Sequence, residues 1–348
     1  IRIKDLASAL STHVSTLPQG TPIGLWLPDE LLGDSPRKNV QPIKDVLDSL
    51  DTTVLGLNAF PQRDFHKPVV KDAVYQPAWD NPSRLEYTLR AAEAAASLCS
   101  GNEDFGLTTL PVGWPSHNVD LVIAADLIRH ACRGLAELSD RCEQSIYLAI
   151  EPEPGCILPT ALSLIEFVQT NKLEKYCESG TLRACLDTCH LAVEHEDPQV
   201  AVHSLMQAGI RIGRLQISSA PEAHCAEGIT KMLKLAEPRW MHQTSICRND
   251  GMMRFQDLPD AANEPHTGLW RSHLHVPVHR DAFGALRSTQ SWIPSLLSAV
   301  AATEQRPPVE VETYAWDVLP ASMRLASMQE DIARELEWTT NVLREVGW

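Results

Sequence analysis

The chain has 348 residues, of which 44% are hydrophobic and 22% charged, and its formal net charge is −15. This length fits either one barrel of TIM size or two smaller domains, and no apolar run reaches the roughly 18 residues that a membrane span requires. The negative charge disfavours a nucleic-acid partner, because binding a duplex requires a basic face that replaces condensed counterions.

The first segment, residues 1–17, places leucines and a valine at roughly helical spacing. It lacks the continuous apolar region and the small-residue cleavage site of a signal peptide, so it predicts a helix of the domain. The nine cysteines contain no C-x-x-C pair, and an odd number in a chain of this length favours reduced thiols. We therefore expect a cytoplasmic protein without a disulfide framework.

Short apolar runs that end in polar residues alternate with longer segments of helical period, and this alternation indicates a parallel β/α architecture. The eight candidate strands are IGLWLP, TVLGLNAFP, FGLTTLPVGW, SIYLAIEPEP, LRACLDTCH, IGRLQISS, SHLHVPVH and PVEVETYAW. Since the chain shows neither internal repeats nor a flexible linker, the pattern predicts a single domain over residues 1–348, with the fold of a (β/α)8 TIM barrel.

Helical segments lie between these runs. Segments 83–99 and 118–138 each open with a residue of the type that caps helices, Ser83 and Asn118. The last segment, from about 320 to 346, predicts a closing helix.

One region interrupts the alternation. Residues 239–258, RWMHQTSICRNDGMMRFQDL, read as two short strands around an Asn-Asp-Gly turn, which is a hairpin signal. We expect a β-hairpin insertion over one end of the barrel. If its first strand belongs to the barrel instead, one of the eight runs does not.

Polar residues at the carboxyl ends of barrel strands are the informative ones, because the chemistry of TIM barrels takes place there. In IEPEPG the prolines cannot donate to a central ladder, so the strand ends at this point and leaves Glu151 and Glu153 at the rim. Five apolar residues precede Glu151 and favour a carboxylate that faces inward. The alternative is that both acids are solvated rim residues or a helix cap.

Asp187 follows the apolar residues of ACL and lies three residues before His190. This spacing fits a metal ligand at Asp187, with the side chain of His190 reaching over the same opening of the barrel. It fits equally well an Asp that caps a helix beginning near Cys189. The acidic and histidine-rich run that follows, 194–197, is interpreted as a solvated loop.

Glu310 and Glu312 alternate within PVEVETY, so one strand presents two carboxylates on the same face. A charged pair inside a barrel is costly unless a cation or a basic partner neutralises it. The pattern therefore implies either a metal or a buried Lys or Arg, with Glu312, nearer the carboxyl end, as the better ligand. The alternative is that both side chains face helices or solvent.

The histidines form a second group of candidates. His273, His275 and His279 alternate in SHLHVPVH and are expected to share a face, with His275 the best placed to reach the centre. A lone histidine on an apolar strand is more often a hydrogen-bonded core residue than a ligand, but three on one face favour a polar cavity. His66 and His242 are further candidates for contact with a substrate.

Carboxylates from three strands, together with imidazole or amide ligands, form a hard ligand set. Such a set suits Mn²⁺, Mg²⁺ or Co²⁺, or Zn²⁺ if imidazole predominates. We therefore expect a divalent metal as cofactor.

These motifs resemble the xylose-isomerase-like TIM-barrel superfamily, which includes sugar isomerases, ketose 3-epimerases and metal-dependent endonucleases. LDTCHLAVEHE is similar to the epimerases' Leu-Asp-Thr-x-His motif, which implies a metal at Asp187 and a substrate at His190. Runs such as IEPEPGCILPT, HLHVPVHRDAFGALRSTQ and VEVETYAWDVLP resemble the EboE proteins, a branch annotated for metabolite traffic, and this likeness extends from about Gly24 to the end.

The chain departs from its relatives in two places. The epimerases have a histidine on strand seven where this chain has Gln216, so either Gln216 is a weak oxygen ligand or His275 supplies the imidazole. The relatives also begin with a strand before the first helix, which implies that a first strand is absent from this chain.

The leading hypothesis is a metal-dependent isomerase or epimerase acting on a small polyhydroxylated or secondary metabolite. In it the cation polarises a substrate oxygen, and Glu151 or Glu312 also transfers a proton. The expected metal ligands are Glu151, Asp187, Glu312, and Gln216 or His275, and the expected substrate contacts are His190, Glu153, His66, His242 and Trp114. The sequence leaves the oligomeric state open.

Two other functions fit parts of the sequence. A carrier that binds an aromatic or hydrophobic metabolite is compatible with nine tryptophans, among them Trp79, Trp114, Trp240 and Trp316 in loop-like segments. An endonuclease of the abasic-site type shares the fold, but the acidic balance disfavours it.

Overall fold

The computed structural model describes residues 3–63, 67–99, 104–312 and 314–348. Its strands are β1 (Ile23–Trp26), β2 (Val54–Asn58), β3 (Phe105–Thr109), β4 (Ile146–Ile150), β5 (Leu182–Asp187), β6 (Ile212–Ile217), β7 (Pro221–Ala223), β8 (Thr244–Arg248), β9 (Gly251–Phe255), β10 (Leu269–Ser272), β11 (Ala282–Phe283), β12 (Leu286–Ser288) and β13 (Val309–Val311). Its helices are α1 (Ile3–Val14), α2 (Asp29–Leu32), α3 (Pro36–Asn39), α4 (Gln41–Ser49), α5 (Pro82–Leu98), α6 (Leu121–Cys142), α7 (Ala161–Thr170), α8 (Glu174–Glu178), α9 (Thr188–Val193), α10 (Pro198–Gln207), α11 (Ala226–Leu233), α12 (Trp292–Ala301) and α13 (Met328–Glu345).

Seven strands form one parallel sheet in the order β1, β2, β3, β4, β5, β6, β13. Strands β3, β4 and β6 are buried along their whole length, as expected when helices cover one face and packed side chains fill the other. The sheet curves into a nearly closed barrel, and the side chain of Glu310 on β13 fills the space in front of Gly24 on β1. The predicted TIM-barrel fold is therefore confirmed.

The run SHLHVPVH was wrongly predicted to be a barrel strand. Strand β10 ends at Ser272 and belongs to a second sheet, and residues 273–279 form no strand. The segment is held across the barrel mouth by single contacts, such as the amide of Val276 to the carbonyl of Ser219 at 2.8 Å. The alternating histidines and apolar residues of this run therefore belong to a segment that crosses the barrel mouth, and not to a strand of the barrel.

The second sheet is antiparallel, with six strands in the order β11, β12, β7, β10, β8, β9. Strands β8 and β9 form the predicted hairpin, with Arg248 paired with Gly251 across the turn. The insertion is larger than the sequence indicated, because short strands that precede and follow the hairpin join it. It has a hydrophobic cluster of its own, which includes Trp240, Ile246 and Trp270.

The helix starts differ from the predicted ones. Helix α5 is capped by Asn81, with a proline at its first position, and not by Ser83. Helix α6 is capped by Asp120, whose side chain accepts from two backbone amides, and not by Asn118. In both cases the cap is the Asn or Asp directly before the first helical residue, whereas Ser83 lies inside α5 and Asn118 lies three residues before α6 begins.

Helices form at the first and last segments of the chain, as the sequence predicted. A helix forms at the start of the chain, α1, and the closing helix α13 lies inside the predicted range 320–346. All nine cysteines are free thiols. No helix in the described parts of the chain combines the length and apolarity needed to cross a membrane.

A buried ion pair fills the interior of the barrel below the mouth. Arg214 on β6 is fully buried and its Nη1 lies 3.0 Å from Glu310 Oε2. The guanidinium fits because residue 56 is glycine, and a Cβ there would lie 1.5 Å from Arg214 Nη2. Arg214 is thus the basic partner that the two carboxylates of β13 implied, and it neutralises Glu310 while Glu312 reaches the mouth.

Candidate metal centre and cavity

Three carboxylates lie where strands of the barrel end. Glu151 follows β4, Asp187 ends β5 and Glu312 follows β13. Two further ladder bonds fix the rim, from the amide of Glu151 to the carbonyl of Thr109 at 3.0 Å and from the amide of Glu312 to the carbonyl of Ile217 at 3.1 Å. The parallel register therefore brings together acids that are far apart in sequence.

The electrostatics of this cluster favour a cation. Burial, followed by the charges of Glu312 and Asp187, raises the pKa of Glu151 well above its ordinary value. Burial and the charge of Asp187 do the same to the pKa of Glu312. Glu151 Oε2 and Asp187 Oδ2 are buried and have no hydrogen-bond partner among the described residues. A divalent cation would offset this repulsion, and ligand atoms of Asp187, His190 and His275 lie within 4.8 Å of one another, so the residues present fit such an ion.

Asp187 forms the helix cap, one of the two roles that the sequence left open, and keeps one oxygen without a partner among the described residues. Its Oδ1 caps α9 by accepting from the amide of His190 at 2.9 Å, and it also accepts from Ser218 Oγ at 2.6 Å. Its Oδ2 remains available to the cluster. The cap holds one oxygen in place and thereby fixes the direction of the other.

Gln216 and His275 differ in what their polar atoms contact. Gln216 pairs with Asp187 across the strands, and its Oε1 accepts from Cys185 Sγ at 3.0 Å. His275 donates from Nδ1 to the carbonyl of Glu312 at 3.2 Å, which leaves a lone pair on Nε2, 3.9 Å from Asp187 Oδ2. Burial lowers the pKa of His275 to about 4, so its ring is neutral, as a ligand requires.

Glu153 and His190 lie on the side of the cluster that faces the insertion. Glu153 accepts from the Tyr75 hydroxyl at 2.7 Å. His190 Nδ1 lies 3.0 Å from the carbonyl of Pro152, and its Nε2 lies 3.1 Å from His273 Nε2. Imidazoles from the insertion therefore face acids from the barrel.

A cavity of about 670 Å³, open mouth included, lies over the carboxylates. Its polar wall consists of Asn58, Lys71, Glu151, Glu153, His190, His273, His275 and Glu312, and its apolar wall of Phe60, Pro61, Val74, Tyr75, Trp240, Met241 and Tyr314. Aromatic faces beside acids and imidazoles are typical of sites for small polar molecules.

Lys71 is the one Lys or Arg side chain in the described part of this wall. Its ammonium already has three acceptors, Asp257 Oδ2 at 2.6 Å and the carbonyls of Trp240 at 2.7 Å and Glu237 at 3.3 Å. All three of its protons are therefore engaged, and the cavity keeps an anionic character.

Three predicted substrate contacts are not found on the wall. Trp114 is buried behind Tyr75, with the two rings stacked 4.7 Å apart. His242 is buried within 3.5 Å of both Glu237 Oε1 and Asp257 Oδ1, because the insertion turns it away from the opening. His66 lies outside the described residues.

His279 and most of the highlighted tryptophans lie outside the cavity wall, and two tyrosines of the wall were not predicted. His279 is only partly buried and does not line the cavity, and of the four highlighted tryptophans only Trp240 does. Tyr314 follows Glu312 at period two, so alternation could have placed it on the same face. Tyr75 lies in an irregular turn and had no local signal.

The chain has the fold of a TIM barrel, and solved structures of xylose isomerase-like TIM barrels and sugar epimerases are similar to it. A xylose isomerase-like TIM-barrel protein from Mycobacterium smegmatis, solved in complex with magnesium, aligns with a TM-score of 0.56 at 12% identity, over 99% of this chain and 90% of that chain. A D-psicose 3-epimerase solved in the presence of D-fructose aligns with a TM-score of 0.53 at 14% identity, over 97% and 93%. A D-allulose 3-epimerase from Methylomonas sp. aligns with a TM-score of 0.53 at 13% identity, over 98% and 93%. The chain matches no family model and no curated protein sequence. At these identities the likeness establishes the fold.

Proposed function

We propose that the chain is a metal-dependent isomerase or epimerase that acts on a small polyhydroxylated or secondary metabolite. The observation that carries this proposal is the group of acids Glu151, Asp187 and Glu312 at the strand ends: Glu151 Oε2 and Asp187 Oδ2 are buried without a hydrogen-bond partner, and Glu151 and Glu312 line an open cavity. The resemblance of the motifs to the EboE proteins supports a link to metabolite traffic.

The proposed metal ligands are Glu151, Asp187, Glu312 and His275. His275 is preferred to Gln216 because its Nε2 is unpartnered, whereas the amide oxygen of Gln216 accepts from Cys185. A bound Mn²⁺, Mg²⁺, Co²⁺ or Zn²⁺ would polarise a substrate carbonyl or hydroxyl oxygen. In this arrangement Gln216 is not a ligand, and its hydrogen bond to Glu151 opposes the rise in the pKa of Glu151.

The same carboxylates are suited to proton transfer. A general base works best when its pKa lies near the working pH, and burial moves the pKa values of Glu151 and Glu312 upward in that direction. In the proposed reaction one of these two carboxylates removes a proton from a carbon beside the polarised oxygen. His190 and Glu153 orient the substrate from the opposite wall.

The cavity favours a neutral substrate. The acids face the opening, while the ammonium of Lys71 is held by Asp257 and two carbonyls. Tyr314 and Trp240 pack edge to face with ring centroids 5.0 Å apart and supply an apolar surface for the carbons of a sugar. A phosphorylated substrate would meet like charge without a free basic side chain in the described wall.

A metal assay on the purified protein tests the proposal. Wild type is expected to hold a divalent metal, and Asp187→Asn, which keeps an oxygen for the α9 cap, is expected to lose the metal at this centre. Turnover of a panel of ketoses by wild type, abolished in Glu312→Gln, would then assign the reaction. Unchanged metal content at this centre in Asp187→Asn would contradict the proposed ligand set.

The aromatic wall supports a second candidate, a carrier that binds a metabolite without converting it. Phe60, Tyr75, Trp240 and Tyr314 line one side of the cavity. Compounds that bind with unchanged affinity in Glu312→Gln and emerge chemically intact from wild type would favour this candidate over the enzyme.

A further inference from the structure

A second cavity opens at the end of the barrel opposite the mouth. Its wall is formed at the amino-terminal ends of β2, β3, β5, β6 and β13 and by the turns before them, and it measures about 1480 Å³, open side included. This end of a TIM barrel ordinarily serves stability and not chemistry. Tyr147 and Arg214 are fully buried in the barrel between this end and the acids, so the two cavities are separate.

Arginines dominate the charge of this cavity. In the described part of its wall the charged residues are Arg183, Arg211, Arg306 and Asp104, which together carry a net charge of +2. The chain as a whole carries a formal charge of −15. A local positive potential in so acidic a protein attracts small anions, and salt screens that attraction.

Arg183 is held in place by three contacts. Its guanidinium stacks on the ring of Tyr147 at 3.8 Å, its Nε donates to the carbonyl of Gly180 at 2.9 Å, and its Nη2 pairs with Asp104. The side chain is 11% exposed. Its Nη1 makes no hydrogen bond to the described residues, so a rigidly placed pair of N–H donors is left for a ligand.

Arg211 lies beside Arg183 and is exposed, and its guanidinium makes no hydrogen bond or ion pair with the described residues. A Cβ on Gly180 would lie 3.1 Å from Arg211 Nη1 and 3.7 Å from Arg183 Nη2, so the two guanidiniums converge on one place. Two cations this close repel each other unless an anion binds both. Arg306 differs from them, because its Nη1 already donates to the carbonyls of Ala301 and Gln305.

We infer that Arg183 and Arg211 bind a phosphate group, either free phosphate or the phosphate of a small metabolite, at the end of the barrel opposite the mouth. Guanidinium groups suit this ligand because their paired N–H donors match the spacing of phosphate oxygens. The carboxylate of Asp104 competes with the ligand for Arg183 and limits its affinity. The inference does not depend on the reaction proposed at the mouth.

Equilibrium dialysis with inorganic phosphate at low ionic strength tests this site. The full-length protein is kept free of metal, so that phosphate cannot bind through a cation at the mouth. Wild type is expected to bind one equivalent, and Arg211→Gln is expected to weaken that binding by roughly tenfold. The matched control is Arg334→Gln, which removes an exposed guanidinium paired with Glu337 outside this cavity and should leave the affinity unchanged.

A second variant gives an effect of the opposite sign. Asp104→Asn removes the competing carboxylate and is expected to tighten phosphate binding by about threefold, a gain that a purely structural role of these residues does not predict. A sugar phosphate distinguishes the two sources of the ligand: binding that is tighter than that of free phosphate, and is weakened by Arg211→Gln, indicates a metabolite, and otherwise free phosphate is the ligand. No saturable phosphate binding by wild type, equal affinity in Arg211→Gln, or weaker binding in Asp104→Asn would overturn the site.

Discussion

Asp187 and His275 face each other across the barrel mouth, with Oδ2 and Nε2 3.9 Å apart and both atoms without a hydrogen bond to the described residues. One comes from a barrel strand and the other from the insertion. A cation at about 2 Å from each atom would have these two atoms on nearly opposite sides, so binding is expected to bring them slightly closer together.

The first prediction compares His275 with Gln216. His275→Ala is expected to weaken metal binding at this centre by on the order of 100-fold, because it removes a ligand, whereas Gln216→Ala is expected to cost on the order of tenfold or less, as the loss of a neighbouring contact does. Isothermal titration with Mn²⁺ measures both. The reverse ranking would make Gln216 the ligand.

The second prediction separates the two roles of Asp187. Asp187→Asn keeps an oxygen for the α9 cap and removes the charge, while Asp187→Ala removes both. In metal-free protein, Ala is expected to be less stable than Asn by about 1 kcal/mol, the usual value of a cap. Urea denaturation measures the difference, and equal stability of the two variants would show that the cap contributes little.

The third prediction concerns pH. The pKa values of Glu151 and Glu312 are raised above their ordinary value of 4.5, so the folded state holds these protons more tightly than the unfolded chain. Their contribution to stability is therefore complete below about pH 4.5 and is lost as the pH rises through the raised pKa values.

Metal-free protein is accordingly expected to lose stability from these two groups as the pH is raised above about 4.5, and saturating divalent metal is expected to reduce that loss by binding the ionised carboxylates. Thermal denaturation across this range, with and without metal, measures the effect. Glu151→Gln/Glu312→Gln is the control and should flatten the dependence. A dependence that persists unchanged in this variant would assign it to other groups.

The fourth prediction concerns the charge of the substrate. A neutral ketose is expected to bind at least tenfold more tightly than its phosphorylated form, because Lys71 is engaged and the acids repel phosphate. Competition binding to the metal-free protein isolates this effect from any charge that a metal adds. Tighter binding of the phosphorylated compound would point to a basic group outside the described wall.

The fifth prediction concerns the ion pair inside the barrel. Arg214→Met leaves Glu310 without its partner and is expected to cost more than about 1 kcal/mol of unfolding free energy, but less than the roughly 3–5 kcal/mol of a fully buried pair, because the Glu310 side chain is 21% exposed. Adding Glu310→Gln should recover part of this cost. Arg37→Met, which breaks the exposed pair with Glu93, is the matched control and is expected to cost less than about 1 kcal/mol.

The sequence predicted the barrel better than it predicted the cavity. Glu151, Asp187 and Glu312 were identified because a strand end is a local pattern, and parallel pairing then brings such ends together. Tyr75 was missed because it lies in an irregular turn, and its position depends on how the segments above the barrel pack together. The same dependence explains why His242 and Trp114 do not line the cavity. Their residue types fitted a binding role, but packing turns both side chains away from the opening.

His273 and His275 reach the carboxylates from the segment that follows the second sheet, so the acids and these two imidazoles belong to separately cored layers. Selection can then alter the imidazole half through changes in the insertion, while the strands that carry the acids keep their register. The protein could in this way change which ion or compound it accepts without rebuilding the scaffold that makes it fold.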